Sequence, residues 1–154
     1  MSENLNKNKF MLAALEQAKK AIIQDEVPVG AVLVKNGEII SGDFNRNLSL
    51  KDPTAHAEIL VMREASQILG SHRLDDCDIY VTLEPCAMCA AAISLAKVRR
   101  IYYAASDAKF GVIENGQMER SSSCYHRPEI YSGFCADESA KLLKDFFKEK
   151  RRSI

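Results

Sequence analysis

Residues 79–95, IYVTLEPCAMCAAAISL, are the most informative about the fold, because they are expected to contain a strand, a boundary and a helix in direct succession. Its first residues are apolar, β-branched or aromatic, which is typical of a buried strand. Pro85 favours the first turn of a helix, and the apolar run after it predicts that this helix continues to about Leu95. Residues 100–105 are again β-branched and aromatic, so a second strand follows. Strands joined in this way should be parallel, with a right-handed crossover.

A predicted hairpin precedes this unit. Residues 30–34 form a continuous apolar run of the kind found in strands buried on both faces of a sheet. Asn36-Gly37 is a strong signal for a two-residue turn, so residues 38–42 should return as an antiparallel strand. Upstream, apolar residues recur at helical spacing and predict an amphipathic helix over residues 7–24. Its inward side chains are expected to be Met11, Ala14, Leu15, Ala18, Ala21 and Ile22.

A second helix is predicted between the hairpin and the strand at residue 79. Asp52-Pro53 has the pattern of a helix cap followed by proline in the first turn, which places the helix over residues 55–69. Gly70 should end it, because glycine readily adopts the left-handed conformation of a helix C-terminus. The side chains expected to face the core are Ile59, Met62, Ala65 and Leu69.

The C-terminal third is less regular. Residues 107–127 contain several glycine and serine positions, which predict a loop with short helical turns. Residues 129–132 are predicted as an edge strand, and a terminal helix follows, marked by Ala136, Ala140, Leu143, Phe146 and Phe147. The alternation of elements predicts an α/β fold, a three-layer α/β/α sandwich around a mixed, roughly five-stranded central sheet. We expect residues 1–154 to form a single domain.

The composition is that of an ordinary globular protein of 154 residues. Lys plus Arg and Asp plus Glu each number 21, so the formal net charge is zero and gives no support to nucleic-acid binding. No apolar run approaches the roughly 20 residues of a membrane span, and no apolar signal segment follows Met1. We therefore expect a cytoplasmic protein, in which paired cysteines bind metal or act in redox chemistry rather than form disulfides.

Two short motifs carry the chemistry, His56-Ala57-Glu58 and Pro85-Cys86-Ala87-Met88-Cys89. Each is predicted near the start of a helix that follows a strand-side loop, so both should open at the same edge of the sheet. Cys86 and Cys89 are three residues apart and should share one helix face. Two thiolates and one imidazole suit zinc.

The number of ligands distinguishes a structural from a catalytic site. A structural zinc site is closed by four protein ligands, whereas a catalytic site keeps one position for water. The two motifs supply only His56, Cys86 and Cys89, and no second C-x-x-C is present. We infer an open site, in which zinc would lower the pKa of bound water toward about 7. The spare candidates, which have no paired spacing, are Cys77, Cys124, Cys135, His72 and His126.

Glu58 is the candidate proton carrier. On a regular helix it is rotated about 200° from His56, which makes joint metal ligation awkward. A carboxylate beside zinc-bound water is suited to general acid/base work instead. Two other interpretations of the cysteines stay open, because C-x-x-C also occurs in redox pairs and a spare cysteine could close a structural zinc site.

His56-x-Glu58 with Pro85-Cys86-x-x-Cys89 resembles the signature of zinc-dependent nucleoside and nucleobase deaminases. Further segments resemble one branch of that group, the bacterial tRNA-specific adenosine deaminases. These segments are VPVGAVLV (27–34), Asn45-Arg46, DPTAHAEI (52–59), YVTLEPC (80–86), Asp107-Ala108-Lys109 and Asp145-Phe146-Phe147. The resemblance covers nearly the whole chain and departs from the family pattern at Phe110 and in the loop of residues 114–125.

The resemblance implies a cytidine deaminase-like fold and a mechanism. One zinc ion per subunit would be held by His56, Cys86 and Cys89. Glu58 would move a proton from water to the purine and then to the departing ammonia. The residues implied to bind the flipped base are Asn45, which would hydrogen-bond it, and Val29 and Leu83, which would wall its pocket.

The implied substrate is the anticodon loop of a tRNA, an arginine isoacceptor, whose wobble adenosine becomes inosine. Bases inside an RNA helix are inaccessible, so the RNA must present a splayed loop. Phe146, Phe147 and Arg152 are predicted RNA contacts. One phenylalanine is expected to pack inward, and the other to shape either the substrate groove or a subunit contact. A homodimer is also implied, with Ala90-Ala91-Ala92 near its interface.

Two other functions fit the same motifs. A free guanine or cytosine deaminase, or a nucleotide deaminase, shares the short motifs, and a zinc-stabilised RNA-binding module would share them without turnover. The basic C-terminus also has two interpretations, a solvated helix end or a phosphate-binding patch. Its residues are Lys141, Lys144, Lys148, Lys150, Arg151 and Arg152.

Overall fold

The computed structural model describes residues 2–152, with side chains from residue 8 onward. Five strands form one mixed sheet in the order β2-β1-β3-β4-β5. The strands are β1 (Gly30–Lys35), β2 (Glu38–Phe44), β3 (Cys77–Leu83), β4 (Arg100–Ala105) and β5 (Glu129–Ser132). The helices are α1 (Ser2–Ile23), α2 (Ala57–Leu69), α3 (Ala87–Leu95), α4 (Gln117–Arg120) and α5 (Ala136–Arg152). The predicted α/β fold around a mixed five-stranded sheet is confirmed.

The directions of the strands determine at which edge of the sheet the connecting loops lie. β1 pairs antiparallel with both β2 and β3, whereas β3 and β4, and β4 and β5, pair in parallel. β2, β3 and β4 therefore all run the same way, as predicted for strands linked through helices. Their carboxyl ends meet at one edge of the sheet, where α/β proteins place their binding sites.

The sheet is covered on both faces because alternate strand residues point to opposite sides. On one face, α2, α3 and α4 pack on a cluster that includes Leu33, Ile79, Val81, Ile101 and Tyr103. On the other face, residues Phe10, Met11 and Ala14 of α1 pack on Val32, Val34, Tyr80, Tyr102 and Ala104. The three-layer arrangement follows from this alternation.

The hairpin prediction is confirmed. Asn36 and Gly37 both have positive φ angles, 51° and 76°, which is the conformation of a type I′ turn. The first helix is also present, and five of its six predicted inward residues are buried, but Ile22 is 42% exposed. That prediction is wrong because Ile22 lies near the end of α1 and lines an open groove between α1 and α5, together with Leu142 and Phe146.

The start of α2 differs from the prediction. The helix begins at Ala57 with His56 as its N-cap, two residues beyond the predicted start. Asp52 does not cap it, because its Oδ1 accepts hydrogen bonds from the backbone N–H and the hydroxyl of Thr54, at 2.8 and 2.7 Å. Asp52 therefore stabilises a turn in the preceding loop.

The inward face of α2 is rotated slightly from the predicted one. Met62 and Ala65 are buried as expected, whereas Ile59 and Leu69 are only partly buried against the core. Leu60 and Val61 are buried in addition, because α2 packs on the sheet and also contacts the neighbouring helix α3. Gly70 ends the helix in the left-handed conformation, as predicted.

The C-terminal third also follows the prediction. Residues 107–127 form a loop interrupted by the single short helix α4, and β5 pairs only with β4 at the sheet edge. The terminal helix α5 is fixed to the sheet by a buried hydrogen bond from the Ser139 hydroxyl to the Thr82 carbonyl. No helix in the part of the chain that the structure describes is long and apolar enough to cross a membrane.

Candidate metal centre and its cleft

Two loops bring the candidate metal ligands to the carboxyl edge of the sheet. His56 ends the connection between β2 and α2, and Cys86 ends the connection between β3 and α3. Cys89 lies in the first turn of α3. The three potential ligand atoms lie within 4.8 Å of one another. The prediction that both motifs open at one place is confirmed.

The distances fit a tetrahedral zinc ion. His56 Nδ1 lies 3.7 Å from Cys86 Sγ and 3.5 Å from Cys89 Sγ. Tetrahedral zinc with bonds of about 2.3 Å to sulfur and 2.0–2.1 Å to nitrogen places such donor atoms roughly 3.6 Å apart. Donor chemistry and spacing therefore both suit zinc.

Both helices of the site begin at a ligand. His56 and Cys86 are N-caps with extended backbone, at φ −75°, ψ 153° and φ −80°, ψ 175°. Because His56 lies outside the helix, the angular separation of 200° from Glu58 that the sequence suggested does not apply. Both side chains point into the same cleft.

The electrostatics favour a thiolate at Cys86. Its pKa is lowered to about 4, mainly because the Cys89 thiol donates a hydrogen bond to its sulfur, with a further contribution from His56. The same bond, together with burial, raises the pKa of Cys89. The hydrogen bond with Cys86 also raises the pKa of His56. The N-terminus of α3 adds positive potential at Cys86, which stabilises a thiolate ligand.

Glu58 lies at the buried side of the same site. It is in the first turn of α2 and is only 4% exposed. Burial raises the pKa of its carboxyl group. A carboxylate with a raised pKa is a better proton acceptor than an exposed one, which suits a general acid/base.

Three protein ligands are present, and no fourth joins them among the residues that the structure describes. His126 is turned away, with Nε2 2.9 Å from the Val98 carbonyl oxygen. The Cys124 thiol donates to the carbonyl oxygen of His126. The possibility that a spare cysteine closes a structural zinc site is therefore excluded for this part of the chain.

The site opens into a cleft of about 1180 Å³. The predicted base-binding residues Asn45, Val29 and Leu83 all line it, as does Phe147 from α5. Asn45 has a second role, because its Oδ1 accepts a hydrogen bond of 2.8 Å from the N–H of Ala57 and so fixes the start of α2.

The other two predicted RNA contacts lie elsewhere. Phe146 faces the groove between α1 and α5, as expected if only one phenylalanine of the pair faces the substrate. Arg152 is exposed at the end of α5, 3.5 Å from Glu149, and does not line the cleft. Lys141 and Lys150 of the basic C-terminus are also paired with carboxylates, of Asp145 and Asp25.

Glu84, immediately before Pro85, is a further functional residue that no sequence motif indicated. It is only 4% exposed, and its carboxylate accepts three backbone hydrogen bonds. Oε1 accepts from Asp107 at 3.0 Å, and Oε2 accepts from Ile113 and Glu114 at 2.9 and 3.0 Å. Glu84 thus fixes the outer loop, residues 106–116, against the metal-binding segment. An acidic residue directly after a buried strand was the available signal.

Glu26 does the same on the other side of the cleft. It is 2% exposed, and its carboxylate accepts hydrogen bonds from the N–H groups of Leu48 and Ser49, at 3.0 and 2.8 Å. These bonds hold the inner loop, residues 45–56, which carries Asn45 and His56. A buried carboxylate therefore supports each loop.

Comparison with known proteins places this site in a family. Residues 5–105 match the model of the cytidine and deoxycytidylate deaminase zinc-binding region. The chain is 52% identical over 143 residues to the tRNA-specific adenosine deaminase of Agrobacterium fabrum, covering 92% of this chain and 94% of that protein. It is 51% identical to the protein of the same name from Rickettsia bellii, covering 92% and 99%.

The fold is similar to that of a solved structure as well. A structure from a study of A-to-I editing by tRNA:A34 deaminases at the wobble position of transfer RNA has a TM-score of 0.85 with this chain. The two are 51% identical, and the match covers 88% of this chain and 99% of that chain.

Proposed function

The chain belongs to the tRNA-specific adenosine deaminases of the zinc-binding cytidine and deoxycytidylate deaminase family, and we propose that it converts adenosine to inosine at the wobble position of a tRNA anticodon. One observation supports this most directly. His56, Cys86 and Cys89 meet at zinc spacing, and the buried carboxylate of Glu58 lines the same cleft. Neither a redox pair nor a passive zinc site requires that carboxylate.

His56, Cys86 and Cys89 would hold one zinc ion per subunit. When bound, zinc supplies a nucleophile at neutral pH, because it lowers the pKa of a coordinated water toward about 7. The Glu58 carboxylate would accept the proton of the attacking water and deliver it to a ring nitrogen of the purine. Glu58 would then take the proton of the hydroxyl group now on C6 and pass it to the amino group, which leaves as ammonia as the C6–N bond breaks and the C6 carbonyl forms. The net reaction exchanges the amino group for the water oxygen and releases ammonia.

The target base would lie between Val29 and Leu83, both of which line the cleft. Asn45 is suited to orient it. Its Oδ1 is already occupied by the N–H of Ala57, which leaves the amide N–H₂ group for an acceptor on the base. The hydrogen bond to α2 would fix the direction of that donor.

The substrate must present its adenosine outside a helix, because a base within a duplex cannot reach the floor of the cleft. An anticodon loop meets this condition. We propose an arginine isoacceptor as the tRNA, and the cytoplasm, where tRNA is available, as the site of the reaction.

We also propose a homodimer that buries part of α3. Ala91 and Ala92 of this helix are partly exposed and Leu95 is 59% exposed, which leaves a small, apolar surface. Small side chains allow another helix to approach closely. Sedimentation at micromolar concentration tests this, and a monomeric mass would contradict it.

The function is tested by incubating the purified protein with an unmodified arginine tRNA transcript and measuring its inosine content. Glu58→Ala serves as the control for turnover. We expect inosine at the wobble position with the native protein and formation about 10²–10⁴-fold slower with the variant. Ammonia released only from free guanine or cytosine would identify the protein as a free-base deaminase. Tight RNA binding without inosine would identify it as a binding module.

A further inference from the structure

Phe110 is an exposed aromatic side chain on the rim of the cleft. It is 61% exposed and lines the cleft that contains His56 and Glu58. A phenylalanine left this open to water contributes little to the core, and exposed apolar surface at a binding site favours contact with a ligand. The candidate walls of the base pocket, Val29 and Leu83, are more buried than Phe110. Phe110 therefore lies outside the position of the target base.

The backbone that carries Phe110 is held firmly. The N–H groups of Lys109 and Phe110 both donate to Asp107 Oδ1, at 3.1 Å each. The next residue, Gly111, forms an antiparallel bridge with Cys86. A Cβ at Gly111 would lie 2.4 Å from Cδ of Glu84, so loop and carboxylate are in direct contact. The ring is thus presented from a fixed backbone next to a metal ligand.

A cation lies beside the ring. Lys109 Nζ is 5.2 Å from the centroid of Phe110. Aromatic faces stack on unpaired nucleobases, and a neighbouring ammonium group suits the adjoining phosphate. The combination of an exposed ring and an exposed lysine at the mouth of the cleft matches single-stranded nucleic acid better than an apolar small molecule.

We propose that Phe110 stacks on a nucleobase next to the adenosine being deaminated. This inference rests on the proposed function. Extruding the adenosine removes its neighbours' stacking partner, which costs free energy. The Phe110 ring replaces that partner at the rim and lowers the cost of extrusion. Phe110 therefore determines how strongly the protein selects RNA in which the adenosine has intact flanking bases.

The test uses Phe110→Ala, Phe110→Leu and Phe110→Trp with an anticodon stem-loop. We expect Phe110→Ala and Phe110→Leu to lower kcat/KM about ten-fold, mainly through KM, because base–aromatic stacking is lost. Phe110→Trp should retain native values, which a purely apolar or structural role would not predict. Tyr125→Ala is the matched control, because Tyr125 is 62% exposed but does not line the cleft.

Abasic substrates identify the contact. Removing the stacked base on one side of the adenosine should lower kcat/KM of the native protein and leave kcat/KM of Phe110→Ala unchanged. The two proteins should then have the same kcat/KM on the abasic substrate. The proposal is overturned if kcat/KM still differs between the native protein and Phe110→Ala when the base on either side of the adenosine is absent. It is also overturned if Phe110→Ala has native kcat/KM on the intact stem-loop. If the native protein forms no inosine on the intact stem-loop, the proposed function itself fails, and the two failures are thereby distinguished.

Discussion

The metal centre and the rim of the cleft are built in different ways. The ligands of the metal centre, His56, Cys86 and Cys89, lie at the N-termini of α2 and α3, at one edge of the sheet. The rim consists of two loops, each held through backbone hydrogen bonds to a buried carboxylate, Glu26 for the inner loop and Glu84 for the outer loop. Chemistry and substrate binding should therefore be separable by substitution.

Replacing a metal ligand should have the largest effect. Cys86→Ser removes a thiolate whose pKa is lowered to about 4 and substitutes a weaker, neutral donor. We expect the purified variant to lose its zinc and all measurable deamination, while the sheet still folds. Elemental analysis and inosine formation measure this. Full zinc occupancy in Cys86→Ser would contradict the assignment of the ligands, and Cys124→Ser should behave as the native protein.

Glu58→Ala should separate chemistry from metal binding. The variant loses the proton carrier but keeps all three ligands, so zinc content and RNA affinity should remain native. The expected loss in kcat is about 10²–10⁴-fold, typical of a missing general acid/base. Activity near the native level would show that another group moves the proton.

Glu84→Gln should affect the rim and leave the centre intact. An amide can accept at one oxygen only, so either the one bond from Asp107 or the two bonds from Ile113 and Glu114 must be lost. We expect a destabilisation of about 1–3 kcal/mol, a raised KM for RNA and native zinc content. Thermal unfolding and steady-state kinetics measure the two effects. Glu119→Gln, at an exposed position on α4, is the control, and an unchanged KM for Glu84→Gln would contradict the proposed support of the outer loop.

Glu26→Gln should have the smallest effect. The Glu26 carboxylate accepts two backbone hydrogen bonds rather than three. The inner loop is also fixed by the hydrogen bond from the Ala57 N–H at the start of α2 to Asn45 Oδ1. We expect a loss of about 1 kcal/mol in stability and a smaller rise in KM than for Glu84→Gln. A larger rise in KM for Glu26→Gln than for Glu84→Gln would contradict the prediction that the outer loop depends more strongly on its buried carboxylate than the inner loop does.

The difference between the metal centre and the loops of the rim also explains which features could be predicted from the sequence. Strand and helix positions follow from local patterns, and the two ligand motifs are short enough to be recognised directly. The start of α2 was misplaced because Asp52-Pro53 satisfies the rule for a cap, although the Asp52 side chain bonds to Thr54 instead. Only the fold shows that Asn45, twelve residues earlier, accepts the N–H of Ala57.

Long-range support was not predictable from local pattern. Glu84 accepts hydrogen bonds from residues 23 to 30 positions further along the chain. The residues next to it in the sequence do not indicate which backbone groups will surround its carboxylate. The split between Phe146 and Phe147 was expected from helix geometry, but the cleft-facing member became clear only from the docking of α5. Periodicity locates elements, whereas contacts between loops depend on tertiary packing.

The position of α5 has a consequence for biosynthesis. All three metal ligands lie before residue 90, whereas Phe147, a wall of the cleft, comes from the helix fixed by Ser139 to Thr82. In the order of synthesis, the three ligands therefore come first and the wall that Phe147 supplies comes last. We expect a chain that ends before α5 to lack this wall of the cleft.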